Sequence, residues 1–485
     1  MSFLPNENDR VIFLFIVPEP ATRTTFQGES VMFNNTSPSN CKIWISLLLV
    51  SFSFIMWGTP ATVHGQQTWN AWKFRMPITL TSRDTETSGL VPVDVTFSLY
   101  ANQCTSPEKE IRLILKTTGG EKEIPFQLSG LSTWKKDTDG QRSSPTVNGM
   151  ITFFDERKGA DDAEYVLLYG NPDAKGPNYP TDLKITGKKP AWTVENSAMT
   201  VQFHGRNQSL PENTNKDSGQ ISRVTLKKHP EIPFATSEGV LHWNPGIFVP
   251  ARGWIHSFAW DPPEKCEITQ GPLFVEIRRN GIFPGIPEAR LSITYRVFTN
   301  RSYIESGTVV EILDDIGVVA LRNDEMIFPK GFFSHVAWES NRTPVVRRLD
   351  EFTPINQHGD ILRLRDDTPF VTFFSPDKGI GAASVRENYA TIGPGGAPPT
   401  LFDNATYVSN GDLQYWFRPL IYFHIDWDRK QLITVPKGSV YSERNLYFFY
   451  ATDGNRPIGD VIALSRAVRS KPDIKLGPYK LPPAK

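Results

Sequence analysis

From Trp72 onward the chain alternates apolar and polar positions in short runs. Trp72-Lys73-Phe74-Arg75-Met76-Pro77-Ile78-Thr79-Leu80, Val91-Pro92-Val93-Asp94-Val95-Thr96-Phe97 and Ile111-Arg112-Leu113-Ile114-Leu115 follow one another, the last ending near Gly119-Gly120. Period-two alternation bounded by turn residues predicts strands with one buried face. Ala163 to Tyr169 closes this first module, because Gly170-Asn171-Pro172 stops the ladder. Polar residues 184–190 (KITGKKP) read as a linker, and a longer β pattern begins at Trp192. Its predicted strands are Met199 to Phe203, Ile221 to Leu226, Leu273 to Arg278, Leu291 to Phe298, Tyr303 to Leu313, Phe370 to Phe374, Tyr415 to Ile425 and Val440 to Tyr450. Many strands without interleaved helices predict two large antiparallel sheets packed face to face.

One helix is predicted, near the C-terminus. Asn455 is its expected cap and Pro457 its first turn, with Ile458, Val461, Ile462, Leu464 and Val468 forming an apolar stripe. It is expected to close an edge or end of the sandwich, with an extended tail after Lys471. The expected fold class is therefore all-β: a small β-sandwich or barrel over 66–183, a linker over 184–190, a large antiparallel β-sandwich over 191–454, and a helix with tail over 455–485.

Ahead of these modules lies Ile43 to Trp57 (IWISLLLVSFSFIMW), with Lys42 before it and Gly58-Thr59-Pro60-Ala61 after it. The run is shorter than the about 20 apolar residues that span a bilayer and has the length of a signal-peptide core. A signal peptide around 32–65 implies a secreted or periplasmic protein that meets the membrane only during export. An uncleaved anchor is the alternative, since Val63-His64-Gly65 is a poor cleavage motif. A second apolar stretch, VIFLFIV, precedes this segment, which makes Met32 the more natural start.

Composition changes this picture in few places. Lys plus Arg and Asp plus Glu are both 52, which gives no electrostatic reason to expect nucleic acid or an anionic membrane surface. The 39 Pro and 35 Gly favour short strands and loops over long helices. Of the three cysteines, Cys104 and Cys266 follow the signal segment; they fall in different predicted modules, so spacing alone neither pairs them nor keeps them apart.

Candidate chemistry centres on histidines beside aromatic or acidic residues. His242-Trp243, Trp254 with His256, His335 with Trp338, and His424 with Trp427 offer the mixture a sugar site needs, an indole against a pyranose face and polar groups for its hydroxyls. The densest polar run, Arg322-Asn323-Asp324-Glu325, is followed by His335. An Arg fork can neutralise a uronate carboxylate while a histidine takes the neighbouring proton, which makes Arg322 and His335 the favoured catalytic pair, with His424 a second base and Tyr389 an acid beside Arg386. Each also has a plain structural reading, as sheet core or a solvated ion pair. Asp360, and Asp426 with Asp428, fall short of a calcium loop, so no metal is expected. No cofactor is expected either: Walker, G-x-S-x-G and G-x-G-x-x-G motifs in the right setting are missing from the sequence.

The opening W-x-F-R-x-P-I-T-L, the middle Glu123 to Leu128 (EIPFQL) and the closing Tyr165 to Ala174 (YVLLYGNPDA) resemble the small β modules of bacterial exported polysaccharide-processing proteins, among them the exo-rhamnogalacturonan-lyase type. The order VENSAMTVQF, GPLFVEIRRNG and ARLSITYRVFTNRSYIESGTVVEIL resembles the large supersandwich of galactose-mutarotase-like and polysaccharide-lyase domains. This resemblance implies an exported protein acting on a polysaccharide or oligosaccharide, acidic ones included, most readily as a lyase. The alternatives are a non-catalytic carbohydrate-binding or envelope sandwich, and a sandwich serving protein contacts. One departure is the lack of any segment long enough for the helical toroid such lyases usually carry.

Overall fold

In the computed structural model, residues 69–81, 86–134, 145–157, 164–356, 359–422 and 432–480 are described, and they belong to one compact unit. The fold class is all-β, with a small N-terminal sandwich, a large antiparallel sandwich and a C-terminal helix. In the small sandwich, a five-stranded sheet runs in the order Asp473–Leu476, Phe74–Thr81, Glu164–Tyr169, Arg112–Thr117 and Gly120–Glu123. It faces a three-stranded sheet of Pro92–Tyr100, Thr146–Phe154 and Phe126–Trp134. Alternating residues such as Ile78, Leu113, Leu115, Ile151, Phe153 and Leu167 meet between the two layers.

The large sandwich places a nine-stranded sheet against a six-stranded and a five-stranded sheet. The nine strands run Lys265–Gln270, Phe274–Phe283, Ile286–Phe298, Tyr303–Ile312, Val440–Ala451, Ile380–Ile392, Phe370–Ser375, His335–Ser340 and Thr343–Arg348. The six run Gly253–His256, Gly246–Val249, Ala320–Pro329, Leu413–Tyr422, Thr406–Asn410 and Asp360–Leu364. One core fills the space between them, including Ile277, Tyr295, Leu321, Met326, Phe328, Trp416 and Phe449. Both the six- and nine-stranded sheets therefore have a second face turned away from this core.

Three sequence expectations are corrected. Residues Lys184–Lys188 form a strand rather than a linker, hairpinned to Ala191–Glu195; Gly187 turns at φ +85°, where a Cβ would stand 2.5 Å from the Ala191 carbonyl oxygen. The helix spans Gly459–Arg469 with Ile458 at its N-cap, so Asn455 does not cap it; the Asn455 N–H instead bonds the Asp453 carboxylate in a preceding turn. Nor does the helix close an edge: Val461, Leu464, Ala467 and Val468 cover the second face of the nine-stranded sheet, and Arg469 pairs with Glu339 at 2.7 and 2.9 Å. Beyond it the chain returns to the small sandwich as Asp473–Leu476, beside Phe74–Thr81. Cys104 and Cys266 are buried and free.

The small sandwich and the C-terminal tail meet the nine-stranded sheet over a buried row of alternating charge. Arg296 bonds Glu276 at 2.9 Å, Asp94 at 3.2 Å and Glu305 at 3.3 Å. Arg444 reaches Glu387 at 3.5 Å and Asp94 at 3.6 Å, and Lys471 bonds Glu387 at 2.6 Å. Four carboxylates face four cations once Arg278, 2.6 Å from Glu276, is included, and burial with the neighbouring Glu387 pushes the Glu305 carboxyl upward. Removing one cation strands buried carboxylates, which costs more than the intact pair contributes. Arg296→Met is expected to lower unfolding free energy by about 3–5 kcal/mol in urea denaturation, whereas removing the exposed pair partner Arg348 by alanine is expected to change it little.

Candidate functional site

The second face of the six-stranded sheet carries charge among aromatic rings. A β-bulge creates it. Strict alternation along Ala320–Pro329 would put Arg322 and Asp324 on one face, but the register shifts between Asn323 and Met326, and Asp324 sits at φ +44°. Asn323 and Asp324 consequently both point into the sandwich. Asn323 donates to Thr308 Oγ1 at 2.7 Å, while Asp324 accepts from Ser384 Oγ at 2.8 Å and from Trp416 Nε1 at 3.3 Å. Glu325 is turned to the Arg322 side, with Nη1 and Oε1 3.6 Å apart.

Arg322 lies over three rings, with its guanidinium carbon 3.8 Å from the centre of Phe417, 4.4 Å from Trp254 and 4.8 Å from Tyr422. Electron-rich ring faces hold such a cation where water cannot. Asp360, wholly buried, accepts from Tyr422 Oη at 3.0 Å and from Asn356 Nδ2 at 2.7 Å. Burial, reinforced by the Asp360 and Asp324 carboxylates against the pull of Arg322, pushes Glu325 up to about 7. Burial likewise raises the Tyr415 and Tyr422 hydroxyls, which rules them out as ready bases at neutral pH. Glu325 Oε2, Asp360 Oδ1 and Arg322 Nε have no hydrogen-bond partner, which is uncommon for buried polar atoms and is accounted for by strain, a chemical role or a bound water or ion.

Aromatic residues form the rim. His256 stacks between Trp254 (5.3 Å, 16° between planes) and Phe258 (5.5 Å, 11°), and Trp243 tilts against it at 5.4 Å. Trp243, Trp254, Phe258 and Tyr415 are half-buried, so the rings are the part of the cluster that meets solvent. Gly246 leaves the needed room: a Cβ there would fall 2.6 Å from His256 Nδ1 and 2.7 Å from Asn244 Oδ1. Burial and the nearby Arg322 push His256 down to about 3, so its ring is neutral and both nitrogens act as hydrogen-bonding groups without charge.

Arg322, Trp243, Trp254 and His256 thus come together; the other sequence candidates do not join them. His335 stacks on Phe374 at 5.1 Å, on the second face of the nine-stranded sheet and hence across the whole sandwich from Arg322, so the favoured Arg322–His335 pair does not form. His242 is fully buried between the sheets, bonded to Tyr295 Oη at 2.6 Å and Tyr447 Oη at 3.1 Å, and burial pushes it down to about 3. Tyr389 is also interior, its ring 3.8 Å beneath Arg418, which pairs with Glu443 at 2.9 Å. Arg386 bonds Thr406 Oγ1 at 3.2 Å and the Asp366 carbonyl. Trp338 packs against the main core. His424 and Trp427, with Asp426, Asp428 and His358, lie outside the described residues. Sequence reasoning missed Glu325, Tyr415 and Tyr422, and weighed Asp360 only as a metal ligand. Among the described residues no group of three His, Cys, Asp or Glu side chains is arranged to hold a metal ion.

No protein-family model matches the chain, and no curated protein matches it in sequence. Solved structures similar to it include a protein in glycosyl hydrolase family 38 and an alpha-mannosidase, both from Enterococcus faecalis. Each is 13% identical and covers 83% of this chain, with 47% and 46% of its own length and TM-scores of 0.44 and 0.45 respectively. A galactose mutarotase-like protein from Lactobacillus casei is 10% identical over 55% of this chain and all of its own, with a TM-score of 0.33. The chain spans less than half the length of the first structures it matches. Likenesses this distant assign nothing to the site.

Glu325 makes the site's protonation measurable. Its folded value of about 7 lies above the ordinary 4.5, so the folded state holds the proton more tightly than the unfolded chain does. That stabilisation is complete below about pH 4.5 and is lost as pH rises through about 7. Glu325→Gln is therefore expected to gain stability relative to the unchanged protein between pH 5 and 8, by up to about 3 kcal/mol in urea titrations.

Proposed function

We propose that this protein is a carbohydrate-active enzyme performing acid–base chemistry on a sugar held against the second face of the six-stranded sheet. The observation that carries the reading is Glu325, a carboxyl that keeps its proton close to neutral pH, beside the Asp360 carboxylate and the ring-held Arg322. General acids and bases work best when their pKa lies near the working pH, and two carboxyl groups in different environments divide the two roles. Glu325 delivers a proton to a ring or glycosidic oxygen. Asp360, through its free oxygen, accepts one from a hydroxyl or water. Trp243 and Trp254 supply apolar faces for the sugar ring, and His256 offers neutral hydrogen bonds to its hydroxyls.

Charge favours a neutral sugar. Arg322 is the cluster's cation, and the Asp360 carboxylate and the Glu325 carboxyl already face it, so an incoming uronate would meet a guanidinium whose acceptors are in place. β-Elimination from an acidic sugar is the second reading, and the presence of Arg322 is what supports it; without His335 its base would be Asp360. We also propose export, on the strength of Ile43 to Trp57, which lies outside the described residues.

Neutral and acidic polysaccharides incubated with the protein, while reducing ends and the ultraviolet absorbance of unsaturated uronates are followed together, separate these readings. New reducing ends from neutral substrates are expected, with kcat/KM falling above about pH 7 as Glu325 loses its proton. Glu325→Gln and Asp360→Asn are each expected to reduce kcat by about 10²–10⁴-fold. Rising absorbance would establish elimination instead, and binding without either product would leave the site as a sugar-binding surface.

A further inference from the structure

An open cavity lies away from this cluster, at the junction of the two sandwiches. It has a volume of about 420 Å³, within the about 300–1,000 Å³ range of small-molecule sites, which also favour domain junctions. One wall is the start of Phe126–Trp134 with Tyr179 of the small sandwich; the other is the edge strand Lys265–Gln270 and the beginning of Phe274–Phe283. We propose that this groove is a second, non-catalytic binding site for a short neutral oligosaccharide.

The walls are fixed before any ligand arrives. Gln127 Oε1 accepts the backbone N–H groups of Leu273 at 3.1 Å and Phe274 at 2.9 Å, tying the sandwiches together at the groove floor. Gly271 permits this, since a Cβ there would stand 2.3 Å from the Gln127 amide carbon. Glu276, at the groove's inner end, belongs to the charged row through Arg296, and its other oxygen takes Arg278 at 2.6 Å. Tyr179 is set edge-on to Phe126 at 5.6 Å, and its hydroxyl donates to Glu123 at 2.7 Å. A preformed site avoids the ordering cost that weak sugar contacts cannot offset.

The lining selects the ligand class. Tyr179, Phe126 and Leu128 give apolar lining, whereas Thr269, Glu267 and Gln270, whose Nε2 donates to the Leu183 carbonyl at 3.2 Å, supply polar groups from the edge strand, and Glu108 adds a carboxylate from the small sandwich. That is the pattern a pyranose presents in reverse, with one C–H face and an equator of hydroxyl donors. Ser129 Oγ, beside the bulge that opens this strand between Ser129 and Ser132, has no hydrogen-bond partner. Arg278 is engaged by Glu276, so the groove's remaining charge is negative, and uronates or phosphates are excluded.

Calorimetric titration of the full chain with neutral tri- and tetrasaccharides (cello-, manno-, xylo- and malto-) and with trigalacturonate tests the proposal. It is run in the Glu325→Gln background so that turnover does not intrude, and it reads the groove whether or not the acid–base site is active. A neutral oligosaccharide is expected to bind and trigalacturonate is not. Thr269→Trp, at an exposed edge-strand position, fills the groove and is expected to weaken binding at least about tenfold, the loss of one good contact. Glu267→Ala, equally exposed, removes one acceptor without filling the space and is expected to weaken the same binding. Three results overturn the proposal: no neutral sugar bound, trigalacturonate preferred, or affinity unchanged in both groove variants.

Discussion

The bulge at Asp324 is the constraint on which the candidate site depends. A regular strand through residues 322–326 would send Glu325 into the sandwich with the core and leave Asp324 beside Arg322. Shifting the ladder by one residue exchanges them. Left-handed backbone at a residue with a side chain is unfavourable, and here it is held by Ser384 and Trp416, which bond both Asp324 oxygens from the facing sheet and the neighbouring strand. The interior bonds of Asp324 thus position Glu325 on the opposite face. Strain on one side of the sheet is coupled to acid–base capacity on the other.

The interior that supports this bulge is unusually polar. Tyr447 joins Asp324 to His242, His242 is bonded to Tyr295, and Tyr295 reaches Gln220 at 2.7 Å and Arg279 at 3.1 Å. Arg418 and Glu443 form a second buried pair alongside. Buried polar groups contribute little net stability even when satisfied, and they cost heavily when a partner is lost. Their effect is to permit few arrangements of the facing sheets, since a slip in register would strand several donors at once. The row through Arg296 acts likewise between the two sandwiches, and Lys471 draws the C-terminal tail into it before the chain pairs with Phe74–Thr81.

Architecture was largely legible in the sequence because burial on one face imposes period-two alternation, and the strands around Val95 and Tyr295 carry it plainly. What the pattern could not convey was pairing between distant segments. Asp473–Leu476 has exposed side chains throughout and reads as tail, although its backbone completes a sheet begun some four hundred residues earlier. Lys184–Lys188 failed for a similar reason: an edge strand whose single apolar residue, Ile185, is half-buried among exposed Lys, Thr and Gly is too short to produce an alternation.

The candidate site was less legible, for a reason that also lies in strand geometry. A histidine next to a tryptophan looks like one sugar-binding unit in sequence, yet neighbours in extended backbone point to opposite faces. His242 accordingly enters the core while Trp243 joins the rim, and His335 and Trp338, an odd number of positions apart, are divided in the same way. Trp254 and His256, two apart, share a face and stack. Parity would have selected the second pair and rejected the others. At Arg322 and Glu325 parity itself misleads, because the extra residue of the bulge reverses it. Only contact with Ser384 and Trp416, far along the chain, determines that it is Glu325 and not Asp324 that faces Arg322.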